Sequence, residues 1–261
     1  EGVAGASVTA MPDGAPTVIP EPRAGTPAGT GDTTGETAAA IAILTAMPVV
    51  DALATTTAPS VPTASPVASA VAMPSAQAED GLTTLSLIGD VSVGDAYQYR
   101  LSKNGLTEAI RKGGMSWAFA RVQDVLSADD LTAANLEVCL TNSTDASGKT
   151  FPLLAPPEFA SVLAEGGIDT VNTVNNHCFD FGAQGYADTL AALEGAGIGH
   201  FGTLVDGKGN ASGVTCTVQR GGIRFGFAGY SYPQNETLPV IERQVGELRA
   251  AGCDVVIVSL H

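Results

Sequence analysis

The chain has 261 residues and a formal net charge of −15, with 12 Lys and Arg residues against 27 Asp and Glu residues. This balance provides no basic patch to neutralise a phosphate backbone or an anionic lipid surface, so it disfavours binding to nucleic acid and to such membranes. The length alone suits one or two domains.

Composition divides the chain near residue 80. Residues 1–80 contain ten of the fifteen prolines and no aromatic residue, and all fourteen Phe, Trp and Tyr residues follow Gly81. A segment rich in Ala, Thr, Pro and Gly has little apolar surface to offset its chain entropy. We therefore predict a disordered Ala/Pro/Thr-rich linker over 1–80 and a folded domain over 81–261, which is long enough for a sizeable core.

The most apolar part of the linker, 38–50, does not predict a membrane span. It contains Pro48 and is about 13 residues long, whereas a span needs about 20. It also lacks the basic flank of a signal peptide. Because the chain starts at Glu1, we expect any signal or anchor to lie upstream. The linker suits a domain tethered at the extracellular face of a bacterial membrane, and an unstructured intracellular tail is the alternative.

Predicted strands and helices alternate after residue 80. The predicted strands are 83–88, 131–134, 169–174, 214–219, 223–229 and 254–260, and the predicted helices are 117–126, 156–165, 186–196 and 239–251. Arg-Gly-Gly at 220–222 favours a hairpin. The alternation predicts an α/β fold with a mainly parallel sheet plus one hairpin. Runs of Val, Ile and Leu suit strands that are buried on both faces.

Four predicted strands are followed at once by polar residues. These clusters are Gly89-Asp90, Asn135-Leu136-Glu137, Asn175-Asn176-His177 and Ser259-Leu260-His261. Singly, they also fit a helix cap, a solvated acid or a turn. Ligands of open α/β sheets bind beyond the carboxyl ends of the strands, so we expect the clusters to meet at one edge. Together their Asp, Glu, Asn and His side chains predict a site for a divalent ion such as Mn, Fe or Zn.

Histidine and cysteine are both sparse in this chain. Of the three histidines, His200 lies in a predicted Gly-rich connection, and we expect a structural role for it. The four cysteines have no C-x-x-C spacing, which gives no support to a zinc ribbon. Cys139 and Cys178 each lie beside a polar cluster. In an exported domain they would be able to form a disulfide, and two small buried thiols are the alternative.

The same clusters carry a resemblance to a known family. Leu87-Ile88-Gly89-Asp90, Ala134-Asn135-Leu136-Glu137, Val174-Asn175-Asn176-His177 with Asp180 and Gly182, and Val258-Ser259-Leu260-His261 look like its successive motifs. This is the bacterial capsule synthesis (CapA-like, poly-γ-glutamate) protein family of the metallophosphatase-like superfamily. The resemblance covers about 85–261. It implies a metallophosphatase-like layered sandwich that is C-terminally truncated here, because a Trp-Gly element and a late His-rich motif would follow His261.

The resemblance also implies a role for each site residue. The implied metal ligands are Asp90, Glu137, Asn176 and His261. His177 corresponds to the catalytic histidine, which would protonate a leaving group or stabilise developing charge. Asp180 would orient His177 or cap the next helix. The divalent metal would activate water and polarise a phosphoryl or carbonyl oxygen.

One departure from the superfamily pattern keeps several functions open. Ser92 stands where the superfamily's Asp-x-His motif places a histidine. A metal-dependent hydrolase for capsule polymer synthesis or export would act on an anionic polymer or phosphoester, beside a membrane-bound capsule synthase. A non-catalytic component that holds the polymer or the synthase is the second function, which the missing histidine favours. A secreted metallophosphoesterase unrelated to capsule is the third, and fold analogy cannot choose among them.

Overall fold

The computed structural model describes residues 41–45, 82–146 and 148–261. The larger strands are β1 (Ile41–Thr45), β2 (Leu85–Val91), β4 (Leu131–Leu136), β7 (Thr170–Asn172), β8 (Gly199–Val205), β9 (Ala211–Val214), β10 (Cys216–Arg220), β11 (Ile223–Tyr230) and β12 (Val255–Leu260). The smaller strands are β3 (Asp95–Ala96), β5 (Cys139–Leu140) and β6 (Leu153–Ala155). The helices are α1 (Leu106–Gly113), α2 (Gln123–Leu126), α3 (Ala160–Glu165), α4 (Gly182–Gly195) and α5 (Leu238–Ala250).

The main sheet is largely parallel. Its strand order is β1-β12-β11-β8-β7-β4-β2, and every neighbouring pair along this path is parallel. Two antiparallel strands are added, β10 beside β11 and β9 beside β8. The α/β fold class and the hairpin at 220–222 are therefore confirmed. Gly221 and Gly222 both have positive φ, which a tight two-residue hairpin turn requires.

Most of the predicted linker lies outside the described residues. The exception is β1, which pairs in parallel with β12 at the edge of the sheet. The division of the chain into a linker and a domain remains a prediction. No helix among the described residues is long and apolar enough to cross a bilayer.

Both faces of the main sheet are covered by apolar side chains. On one side, β4 and β7 pack against α1, α3 and α4. Elsewhere, Phe201 and Phe227 stack with their ring centroids 5.3 Å apart, and α5 packs on β11 and β12 through Val240 and Leu248. Successive residues of a strand point to opposite faces, so a strand buried on both sides is apolar throughout. This packing fixes the carboxyl ends of the parallel strands at one edge.

Two sequence predictions need correction. The predicted helix 117–126 is instead a 3₁₀ turn over Met115–Phe119 followed by the short α2. Trp117 and Val125 of its apolar stripe are 47% and 66% exposed, so the helical spacing there did not mark a core face. His200 lies within β8 rather than in a connection, and its Nε2 is 3.3 Å from Glu194 Oε1 on α4.

The candidate metal centre

The predicted polar clusters meet at one edge of the main sheet. Asp90 is the penultimate residue of β2, which extends to Val91 and is thus longer than predicted. Glu137 follows β4 directly, and His261 follows β12 directly. The loop after β7 carries Asn176. The carboxyl ends of parallel strands have therefore brought together residues that are up to 171 positions apart in the chain.

Three of these side chains form a compact group of potential metal ligands. Ligand atoms of Asp90, Glu137 and His261 all lie within 4.8 Å of one another. His261 Nδ1 is 3.4 Å from Asp90 Oδ1, and its Nε2 is 3.6 Å from Glu137 Oε1. Asn176 Oδ1 lies 2.6 Å from the same Nε2 atom. The four residues that the resemblance implies as ligands thus present three oxygens and an imidazole to one small region.

The electrostatics of this group suit a cation. Burial, and next the nearby Asp90 carboxylate, raise the pKa of Glu137 above its usual range. Two acids held this close repel each other when both are ionised, and a bound cation relieves that repulsion. Oxygen donors with one imidazole match the preferences of Mn, Fe and Zn. Ser92, where the superfamily motif has a histidine, is exposed. The donor set therefore fits a divalent ion with one nitrogen ligand.

Asn135 connects the ligands to the interior of the sheet. Its Nδ2 donates to Asp90 Oδ1 at 2.7 Å and lies 3.1 Å from His261 Nδ1. Its Oδ1 accepts hydrogen bonds from Asn172 Nδ2 at 3.1 Å and Asn175 Nδ2 at 3.2 Å. All three asparagines are buried. A saturated buried amide network of this kind holds ligand side chains in place before a metal binds.

The loop after β7 is fixed by its own asparagine. Asn175 Nδ2 also donates to the Leu136 carbonyl at 2.7 Å, and its Oδ1 accepts from the backbone N–H of His177 at 3.0 Å. Asn175 therefore anchors the loop to the end of β4. This anchoring sets the positions of Asn176 and His177 relative to the ligand group.

His177 is oriented by a buried carboxylate. Its Nδ1 lies 2.7 Å from Asp180 Oδ2, which also accepts from the backbone N–H of Leu153 at 2.7 Å. Its Nε2 is 3.7 Å from Glu137 Oε1, so the other edge of the ring faces the ligand group. Of the two roles considered for Asp180, the structure shows the contact that orienting His177 requires.

Sequence reasoning missed Lys149. Its Nζ lies 2.9 Å from Asp180 Oδ1 and also donates to the carbonyl oxygen of Asn176. A single lysine in a polar loop gives no periodic or motif signal. Sequence reasoning also missed Asn172, although its position carries a signal. Asparagine is disfavoured inside a strand, and in a buried strand its side chain needs a hydrogen-bond partner.

Cys139 and Cys178 are free, buried thiols. Cys139 Sγ donates to the carbonyl oxygen of His177 at 3.3 Å and lies 3.6 Å from the carbonyl oxygen of Cys178. Burial raises the pKa of Cys139 to about 12 and that of Cys178 to about 11. Both therefore stay protonated at neutral pH, and they pack behind the loop after β7 that carries His177. This is the second of the two alternatives that the sequence left open.

Comparison with known proteins agrees with the resemblance. Residues 84–261 match the family model described as "Bacterial capsule synthesis protein PGA_cap". The chain belongs to this family. Among the relatives of this PGA_cap chain is "Capsule biosynthesis protein CapA" of Bacillus anthracis, 26% identical over 133 residues, which are 49% of this chain and 30% of that protein. Another is "PGA biosynthesis protein CapA" of Bacillus subtilis (strain 168), 27% identical over 113 residues, which are 42% of this chain and 27% of that protein. These alignments thus span less than a third of either relative.

Proposed function

We propose that this chain supplies a metal-dependent hydrolase site for the synthesis or export of a capsule polymer. The observation that carries the proposal is the convergence of Asp90, Glu137 and His261 within 4.8 Å, with His177 facing Glu137. The names of both relatives refer to capsule or PGA biosynthesis. They support poly-γ-glutamate or another anionic polymer as the class of substrate, and a phosphoester is the alternative that the resemblance to metallophosphatases implies.

The residues present would hold one divalent ion. The ligands are Asp90, Glu137, Asn176 and His261, and the ion is Mn, Fe or Zn. When bound, such an ion lowers the pKa of coordinated water and polarises a phosphoryl or carbonyl oxygen.

His177 is placed for proton transfer. Because the Asp180 carboxylate accepts a hydrogen bond from Nδ1, the Nε2 atom is directed to the ligand group. In its protonated form, His177 donates the Nε2 proton to the leaving-group oxygen. Asp180 holds the ring in this orientation and stabilises the positive charge of the imidazolium before the transfer. Lys149 partly balances Asp180 and adds a positive charge beside Asn176, where an anionic substrate would lie.

We place this activity at the extracellular face of a bacterial membrane, with the part of the predicted linker before β1 as the tether and a membrane-bound capsule synthase as partner. A non-catalytic component that holds the polymer is a second candidate. Ser92, in place of the superfamily's histidine, favours it because one nitrogen ligand is lacking.

Removal and return of the metal tests the proposal. We expect the full chain to hydrolyse bis(p-nitrophenyl) phosphate or poly-γ-glutamate, to lose this activity in EDTA and to regain it with added Mn²⁺ or Zn²⁺. The physical reason is that a bound divalent ion lowers the pKa of its coordinated water enough to supply hydroxide at neutral pH. Binding of the polymer without metal-dependent turnover of either compound would favour the non-catalytic candidate instead.

A further inference from the structure

A cleft of about 420 Å³ lies beside the loop after β7, which carries part of the candidate metal centre. It lies beyond the ends of β7, β8 and β11, and its volume is in the range of small-molecule sites. The lining residues used below are Asn175, Phe179, Asp206, Tyr232, Gln234 and Glu236.

The cleft and the metal centre share structural elements. Asn175 lines the cleft and also donates to Asn135 within the ligand network. The backbone N–H of Tyr232 donates to the carbonyl oxygen of His261 at 2.9 Å. The cleft is therefore joined to the metal centre through Asn175 and through the backbone of Tyr232.

Tyr232 is held in an unusual conformation at this border. Its φ is 47°, in the left-handed region that residues other than glycine rarely adopt. Its side chain is 53% exposed while it lines the cleft. Such strain is typical of positions where a side chain must point in a functional direction. Phe179 adds a second aromatic ring to the lining, packed against Tyr186.

The charged residues that line the cleft are acidic. They are Asp206 and Glu236, and none of the described lining residues is Lys or Arg. Lys149 does not line the cleft, and it contacts the carbonyl oxygen of Asn176 beside the ligand group. A γ-glutamyl unit carries a carboxylate, so the two acids of the cleft would repel it. Hydroxyl groups, in contrast, donate hydrogen bonds to carboxylates.

We propose that the cleft binds an uncharged saccharide unit, so that the substrate is a phosphoester of a saccharide. Its phosphate lies at the ligand group, near Lys149. Its hydroxyls donate to Asp206 and Glu236, the Gln234 amide pairs with further hydroxyls, and Tyr232 packs on the C–H face of the ring. The placement of the phosphate rests on the proposed hydrolase function. Of the substrates considered there, this assignment favours the phosphoester over the γ-glutamyl polymer.

The corresponding hydrolysis is balanced. The oxygen of a water molecule forms a bond to phosphorus, and the bond between phosphorus and the saccharide oxygen breaks. The saccharide oxygen takes a proton from His177, and the proton released by the water restores it. The products are a saccharide alcohol and inorganic phosphate, and no oxidant or reductant is needed.

Ligand binding to the full chain with EDTA present tests the cleft separately from the metal. By saturation-transfer NMR and calorimetry we expect cellotetraose or tetra-N-acetylchitotetraose to bind, whereas tetra-γ-glutamate and spermidine do not. Tyr232→Ala should weaken saccharide binding by roughly 5- to 10-fold because a ring face is lost. Tyr232→Phe, the matched control, should keep it. Glu236→Lys, at an exposed position, should introduce binding of tetra-γ-glutamate.

Three outcomes would overturn the assignment. They are a wild type that binds no saccharide, a Tyr232→Ala variant that binds saccharide as tightly as the wild type, and tighter binding of tetra-γ-glutamate or spermidine than of saccharide. Hydrolysis is measured on the same preparations with added Mn²⁺, and again after EDTA is added. Hydrolysis without saccharide binding rejects the cleft assignment alone, and saccharide binding without hydrolysis rejects the proposed function alone.

Discussion

The His177→Ala variant should lose about 10²- to 10⁴-fold in kcat on bis(p-nitrophenyl) phosphate, the range expected for a general acid. Its metal content should match that of the wild type, because the ligand atoms belong to Asp90, Glu137, Asn176 and His261. Steady-state kinetics with parallel elemental analysis measures both quantities. A loss of activity with the metal retained would place His177 in the chemistry rather than in metal binding.

His200→Ala is the matched control for this variant. His200 is a half-buried histidine that contacts Glu194 of α4, and we expect its removal to leave kcat close to the wild-type value. Long-range ¹H–¹⁵N NMR independently determines the tautomer of His177. The contact with the Asp180 carboxylate requires a proton on Nδ1. Wild-type kcat in His177→Ala, or a neutral His177 protonated on Nε2, would contradict the assignment.

Asn135→Ala should lower the free energy of unfolding by roughly 2–4 kcal/mol, because the buried amides of Asn172 and Asn175 each lose one of their two acceptors. It should also weaken metal binding by about 10- to 100-fold, as loss of a residue that orients ligands does. Urea denaturation and competitive titration with a fluorescent chelator measure the two effects.

The exposed Asn104 provides the control for that substitution. Asn104→Ala should change the free energy of unfolding by less than about 0.5 kcal/mol and leave metal affinity unchanged. If Asn135→Ala were as mild as Asn104→Ala in both measurements, the buried amide network would not support the metal centre.

The sequence predicted a mainly parallel sheet because several of its strands are apolar throughout, but at the central strand β8 it predicted a connection. The continuous apolar run of β12 and the hairpin between β10 and β11 are visible locally, in the Val and Ile residues and in Gly221-Gly222. The shared location of the polar clusters followed from the same pattern, since parallel strands end at one edge.

Other features depend on contacts that a local pattern does not encode. The stripe at 117–126 has helical spacing, but its exposed Trp117 shows that apolar residues there did not mark a helix face buried in the core. The Lys149 contact with Asp180 joins residues 31 positions apart in irregular segments. The tyrosine of the cleft, Tyr232, owes its position to a backbone contact with His261 that only the folded sheet creates.

The central claim is that Asp90, Glu137 and His261 bind a metal ion, and anomalous diffraction tests it most directly. Crystals of the full chain grown with Mn²⁺ should show an anomalous peak among these three side chains, within ligand distance of Asn176 Oδ1. The peak should disappear in Asp90→Ala crystals grown in the same way. A wild-type map without a peak at this position, or an unchanged peak in Asp90→Ala, would contradict the claim.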